Sequence, residues 1–346
     1  MMFIELSLSA QTTYAEIFDQ TRNLEIDSLS SLPGAFYTRV IKNKEYVYFG
    51  YRDANSASRM IYVGPNDDRV KSLVAKFKIA KSYRKMSDLV RSAQVLGCQG
   101  MMQKHFKITK QLANYGFFKA GGILVGTHAF LAIGNMLGVR WTSGNKTLDV
   151  DFAHAGKNIS IALPADMRIS VHDALTSLEM GLLPIQHFSG AAGAQYRNPQ
   201  DPELRIDFLT SIGREKENVV MSNLGISLEP LKFMEFSLEG TTQAIVMGRD
   251  DVCLVNIPSP ERFAIHKLIV YGERKPSERV KSIKDIEQSA ALIDWHIKNG
   301  LSDKITETWH DAVSRGPGWK SRAQTGLDFM LLRHPELKNK IVFDVG

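Results

Sequence analysis

Thr147-Leu148-Asp149-Val150-Asp151-Phe152 is the stretch on which the reading of this chain turns. Side chains in a strand alternate between two faces, so Leu148, Val150 and Phe152 turn toward a core while Asp149 and Asp151 stand together on the other side. Two adjacent carboxylates repel. Such a pair is tolerated on a solvated strand edge, or where a hard divalent ion such as Mg²⁺ shares the oxygens, and these six residues alone leave both readings open. Leu204-Arg205-Ile206-Asp207-Phe208-Leu209 repeats the arrangement, an acid between core-facing apolar residues in a second predicted strand. Set beside the first, that strand supplies a third carboxylate. Three acids on neighbouring strands suit two-metal phosphoryl transfer, in which two bridge the ions that clamp a nucleotide and the third polarises the attacking hydroxyl.

Upstream, Leu124-Val125-Gly126-Thr127-His128-Ala129 reads as an apolar strand that turns at glycine into a helix. A helix start offers free backbone N–H groups and the positive end of its dipole to phosphate oxygens, and the Thr127 hydroxyl adds a donor. A lone glycine turn serves packing as readily. This one is neither a P-loop nor a dinucleotide fingerprint, and its weight comes from preceding the acid pair.

Around these motifs the 346 residues, 44% of them apolar, have the length of about two domains and enough apolar side chains for real cores, which excludes a disordered chain. A helix is expected over 11–30, strands over 35–41 and 45–51 with a turn at Lys42-Asn43-Lys44, a third strand over 59–63, and long helices from Val70 to about Phe118. After Lys119 strands alternate with helices: strands over 121–125, 147–153, 158–163 and 204–210, helices over 127–137 and 171–180, and a hairpin of 242–247 with 252–257. From Ser259 onward the chain reads as helical, over 260–271, 283–298, 303–314 and 321–333. The fold class is therefore α+β. Three parts are expected: a basic accessory region with a small antiparallel sheet and helices (1–119), a central mixed sheet with flanking helices (120–258) and a helical region (259–346).

Gly126-Thr127, Asp149-Val150-Asp151 and Asp207, in that order, resemble the nucleotidyltransferase superfamily with the DNA polymerase β-like fold. There a strand, a Gly-Gly or Gly-Ser turn and a helix precede Asp-x-Asp, and a third acid follows on a later strand. The closer similarity is to bacterial proteins of the abortive-infection toxin type, in which an Arg and a Thr or Ser precede the acid pair, where Arg140 and Thr147 stand here. Lys267 and Lys284-Asp285-Ile286 look like that group's helical Lys and its later Arg-Asp element. The resemblance implies transfer of a nucleoside monophosphate from an NTP to an acceptor, with Mg²⁺ or Mn²⁺ held by Asp149, Asp151 and Asp207. It further implies that Gly126, Thr127, Arg140 and Lys267 bind the nucleotide and that Asp285 supports the site. It covers about 121–295. Thr127 stands in place of the usual Gly or Ser, the interval from Gly126 to Asp149 is longer than in many members, and Lys284 replaces a common Arg. The alternative on the same fold is a catalytically inactive protein that binds nucleic acid or a partner.

The net charge of +6 is unevenly spread. Residues 1–119 hold 18 basic and 10 acidic side chains, 120–346 hold 25 and 27, and within 69–119 there are 12 basic residues against the single acid Asp88. Lys71, Lys78, Lys81 and Lys85 gather on one side of a helix. With Tyr83, His105, Phe106 and Tyr115 interleaved, this stretch is expected either to track an RNA or DNA backbone, with RNA such as tRNA as the candidate acceptor, or to be merely solvated. A toxin of this kind would have an antitoxin protein as partner. Two cysteines make no disulfide framework, no basic-then-apolar leader opens the chain, and the uncharged stretch 121–139 is broken by glycines and polar groups. A reducing, cytoplasmic setting without a membrane span is the expectation.

Overall fold

The computed structural model describes residues 2–26, 34–42, 44–52, 58–82, 86–155, 170–185, 194–211, 218–221, 224–275, 277, 282–341 and 343. The strand expected over 158–163 lies outside them, as do the side chains of Lys78, Lys81, Tyr83 and Lys85.

The chain opens with β1 (Phe3–Glu5) and α1 (Leu8–Ile26), continues through β2 (Gly34–Ile41), β3 (Lys44–Arg52) and β4 (Ser58–Pro65), and then runs through α2 (Asp68–Ser82), α3 (Met86–Val95) and α4 (Gln103–Asn114). The middle comprises β5 (Gly122–Leu124), α5 (Gly126–Met136), β6 (Val139–Trp141), β7 (Asp149–His154), α6 (Val171–Thr176), β8 (Leu183–Pro184), β9 (Gln195–Asn198) and β10 (Asp201–Ser211). It closes with β11 (Val219–Met221), β12 (Ile226–Leu231), α7 (Met234–Glu239), β13 (Thr241–Met247) and β14 (Val252–Pro258). Four helices follow: α8 (Pro260–Glu273), α9 (Ile283–Lys298), α10 (Ser302–Ser314) and α11 (Pro317–Arg333). The architecture is α+β, a mixed central sheet with flanking helices and smaller antiparallel sheets.

In the central sheet the order is β11-β12-β10-β7-β5, with β9 on the N-terminal half of β10 and β8 beyond it. β7 and β10 are parallel neighbours, and β5 lies antiparallel to β7. One face of this sheet is aromatic. Phe152 of β7 stacks on Phe208 of β10 with ring centroids 5.5 Å apart, and Phe117 meets both edge-on at 5.7 and 5.9 Å. Those rings join a core that reaches from Met2 to Phe343 and takes in α4, α5 and the C-terminal helices. The opposite face is apolar at one end, where Ile123, Ala153 and Leu209 pack with Met234 and Leu238 of α7, and acidic at the other.

The stretch 121–139 resolves into β5, a turn, and α5, whose residues from Thr127 to Asn135 are all buried. A helix apolar all round is a central one. Phe130 of α5 stacks on Trp141 at 4.6 Å, and the Trp141 indole N–H donates to the Phe130 carbonyl oxygen over 2.7 Å. Among the described residues no helix is long and apolar enough to cross a membrane. Where long basic helices are expected after Val70 the structure has α2, α3 and α4, and the chain leaves the helix between α3 and α4 because that segment is tied down by its backbone. Gln99 N–H donates to the Asn135 side chain over 2.8 Å, and Met101 N–H to the Met247 carbonyl over 2.8 Å. The last helix begins at Pro317 rather than after it. Proline at the first helical position loses no hydrogen bond, so the Pro-Gly pair that reads as a break is a start.

Candidate active site

Parallel pairing sets Asp207 of β10 directly opposite Asp151 of β7, and Arg205 opposite Asp149. Opposed residues in a sheet share a face, so all three carboxylates and the Arg205 guanidinium stand on the same side. Beyond β10, Gln195 of β9 is opposite Asp207, which completes a polar row of Gln195, Asp207 and Asp151 across three strands. The Gln195 side-chain amide is itself held by Glu229, donating over 3.0 Å.

The electrostatics of this row are strained. Burial, and then Asp207, push the Asp151 carboxyl up, with Asp149 adding and Lys267 and Lys284 opposing, to about 6. Burial also raises Asp207, against Arg205, whose Nε donates to Asp207 Oδ1 over 2.8 Å. Among the described residues of the sheet face itself the counter-ion to this surplus negative charge is Arg205, and Lys267 and Lys284 act on it from the C-terminal helices.

Gly126 is the link between the acids and the helix. Val125 N–H donates to the Asp151 carbonyl over 3.0 Å, fastening the end of β5 to β7. The chain then turns into α5 at Gly126 with φ +64°, the left-handed region, and a Cβ at this position would overlap the Asp151 carboxylate oxygen Oδ2. No side chain caps this helix, so its start beside Asp151 keeps N–H groups without a side-chain acceptor. Thr127 is buried, and its hydroxyl accepts a long 3.5 Å contact from the Gln288 amide of α9, which also donates to the Gly144 carbonyl over 2.7 Å. Behind the turn, the buried His128 ring meets His105 of α4, Nε2 to Nδ1 at 2.8 Å, and burial, then His105 and Lys284, lower His128 to about 3. The pair is a neutral hydrogen-bonded clamp between α4 and α5, which accounts for both histidines without a catalytic role.

The C-terminal helices bring two lysines to the site. Lys267 of α8 donates to Asp285 Oδ1 of α9 over 2.6 Å, and Arg274 reaches Asp285 Oδ2 at 3.3 Å. Burial would raise the Asp285 carboxyl, but Lys267, Arg274 and Lys284 outweigh it and hold it below the usual carboxylate range. Asp285 thus fixes Lys267 within electrostatic reach of Asp151. Lys284, next to Asp285, acts on the same carboxylate from an exposed position.

Arg140 is placed elsewhere. It is an exposed residue of β6, paired with Ile4 of β1 in a separate two-stranded sheet, and no contact among the described residues ties it to the acids. Thr147 stays local, its hydroxyl accepting from the Asp149 N–H at 3.3 Å. Arg205 is a site residue to which the sequence motifs assign no role, although its spacing of two from Asp207 puts it on the same face. The basic stretch is partly neutralised. Lys104 pairs with Asp201, Lys110 with Asp251 at 3.1 Å, and Arg91 with Asp250 at 3.6 Å.

The donor chemistry fits a hard divalent cation: oxygen ligands only, with the Asp151 carboxyl raised first by burial and then by the neighbouring carboxylate of Asp207. As they stand, however, no three His, Cys, Asp or Glu side chains among the described residues converge into a ready metal cage. Asp207 is drawn to Arg205 instead.

Residues 103–314 match the model of a family described as nucleotidyltransferase, a match that begins at the first residue of α4. Among solved structures the chain is similar to an antigenic nucleotidyltransferase-like protein from Paracoccidioides brasiliensis, with 14% identity over 70% of this chain and 94% of that one and a TM-score of 0.32. No curated protein matches.

Proposed function

The chain belongs to the nucleotidyltransferase family that its residues 103–314 match, and from that membership we propose that it transfers a nucleoside monophosphate from an NTP to an acceptor hydroxyl or phosphate. The acceptor oxygen attacks the α-phosphorus, the bond to the β-phosphate oxygen breaks, and pyrophosphate leaves. The observation that supports this reading is the sharing of one sheet face by Asp149, Asp151 and Asp207 beside the Gly126 turn.

In this reading the N–H groups at the start of α5 hold phosphate oxygens, and Lys267, kept in place by Asp285, neutralises their charge. Asp207 draws the proton from the attacking group. Asp149, Asp151 and Asp207 would hold Mg²⁺ or Mn²⁺, which when bound supplies positive charge to the developing phosphoryl and leaving oxygens. RNA, with tRNA as one form of it, is the acceptor class we favour, met through the basic stretch 69–119. An antitoxin partner belongs to this proposal only if expression of the chain proves toxic.

A second reading keeps nucleotide or nucleic-acid binding without turnover, and one observation favours it: Asp207 is already ion-paired with Arg205. One experiment separates the two. Purified chain is incubated with labelled NTPs, RNA and Mg²⁺, and incorporation into acid-insoluble product is measured alongside the far-ultraviolet spectrum. Transfer predicts incorporation that falls by at least about a hundredfold in Asp149→Ala and in Asp151→Ala while both stay folded. Equal incorporation in those variants removes the mechanism, and saturable binding without incorporation selects the second reading.

A further inference from the structure

The β2–β3–β4 sheet has two unlike faces. Register sets Tyr37 opposite Tyr48, Arg39 opposite Tyr46 and Ile41 opposite Lys44, and on the other side of β3 sets Tyr62 opposite Tyr48 and Met60 opposite Gly50. One face therefore carries Tyr37, Tyr46, Tyr48 and Tyr62 with Arg39, Lys44, Ile41 and Met60, and among the described residues no carboxylate. The other face holds Phe36 edge-on to Phe49 at 5.1 Å, buried Val47, and Glu45, whose carboxylate accepts from Asn66 over 2.6 Å.

The tyrosine face is open. Tyr37 is 53% and Tyr62 54% exposed. The Tyr62 ring is tilted against Tyr48 at 5.5 Å and Tyr46 at 6.1 Å, and the Arg39 guanidinium lies 5.6 Å from the Tyr48 centroid. Tilted rings do not cover one another, so flat aromatic surface remains available. A sheet face left to water ordinarily carries small polar or charged side chains, and one that exposes Tyr37, Tyr62, Ile41 and Met60 beside half-buried Tyr46 and Tyr48 is unfavourable unless something covers it. An apolar partner would bury Arg39 and Lys44 without a counter-charge, at a cost. A polyanion with flat apolar faces of its own meets both demands.

We propose that this face binds single-stranded nucleic acid, with bases stacked on Tyr37, Tyr48 and Tyr62 and phosphates drawn to Arg39 and Lys44. Every base has a π-face, so such a surface tolerates sequence, and a duplex, whose bases are hidden, is excluded from stacking. The inference goes beyond the transfer reading. It lies on a different sheet from the acids and needs no nucleotide or metal.

The test is fluorescence anisotropy of labelled single strands of about twenty nucleotides, titrated with the full chain in EDTA without nucleotide. RNA, DNA of the same sequence and an RNA duplex form its three arms. Tyr37→Ala and Tyr62→Ala are each expected to weaken single-strand binding by about fivefold or more, Tyr62→Phe to stay within about twofold of wild type, and the duplex to bind less well than the strand. Arg39→Gln should weaken binding and shallow its salt dependence. The proposal is overturned if wild type does not bind, if the alanine variants bind as wild type does, or if duplex and strand bind alike. It is also overturned if Tyr62→Ala changes the oligomeric state by light scattering, which would make the face a protein interface. Should an alanine variant lose its thermal transition, the decision passes to Tyr62→Phe and Arg39→Gln. Incorporation assays on Asp149 and Asp151 variants read the transfer reaction separately, so either idea can fail without the other.

Discussion

Asp151 is a carboxylate held in an environment that disfavours its charge. Its carboxyl is raised from 3.8 to about 6, first by burial and then by Asp207. The unfolded chain gives up this proton at lower pH than the folded one does, so between about pH 4 and 6 rising pH favours unfolding, and above about 6 the loss is complete. Asp151→Asn removes that penalty. In metal-free buffer at neutral pH the variant should be more stable than wild type by about 1–3 kcal/mol, with the gain vanishing below about pH 4. Urea unfolding at the two pH values checks this, and an Asn variant less stable at neutral pH would show that the acid is not strained. A gain in stability beside a loss of incorporation is what a charge held for function looks like. The sequence made the three acids legible because strand alternation is strict and each acid sits between core-forming neighbours. Arg205 was legible by the same alternation. The reach of Lys267 was not, because it depends on Asp285, eighteen positions along the chain and on another helix.

Among elements, the β5–α5 turn is where local sequence and tertiary contact coincide. An apolar run followed by Gly126 announces a strand entering a helix, and that much the sequence carries. It does not carry the reason for glycine, which is double: a left-handed φ and the Asp151 carboxylate lying where a side chain would begin. The two costs can be separated. Gly300 has φ +69° with open space around it, so Gly300→Ala measures the backbone term alone, about 1–2 kcal/mol. Gly126→Ala should cost more by at least about 1 kcal/mol, because Asp151 must shift. Chemical denaturation of the two variants gives the comparison, and equal costs would mean that the turn and the carboxylate are not in contact. Elsewhere, hairpins and long amphipathic helices came close to their expected bounds: α9 is 283–298 as expected, and the 242–257 hairpin gains one residue at each end. Short elements such as β1, β6, β11 and α7 carried no period of their own. They exist because a neighbour pairs with or covers them, as Trp141 of β6 opposes Phe3 of β1.

For the whole molecule, charge suggests one division and packing another. The basic excess ends near Lys119, which makes 1–119 look like an addition to a catalytic middle. Yet α4 and the turn after it give Phe106, Ile108, Leu112, Phe117 and Phe118 to the same core as Phe152, Phe208 and the helices that carry Lys267 and Asp285. An amphipathic helix shows in its sequence that one face is apolar, but not which sheet it covers. That is why the charge boundary and the core boundary do not coincide. Each of these five side chains contributes about 1.5–3 kcal/mol on burial, together as much as the 5–15 kcal/mol by which an ordinary domain is stable. The fragment 120–346 should therefore lack a cooperative thermal transition and bind hydrophobic dye, whereas the full chain melts cooperatively. If the fragment instead melts sharply with native-like near-ultraviolet signal, the core divides at Lys119 and the N-terminal region is an independent module. In the expected outcome the two parts fold as one. The strand order that aligns the three acids then depends on α4, which also clamps the start of α5 behind the Gly126 turn through His105 and His128.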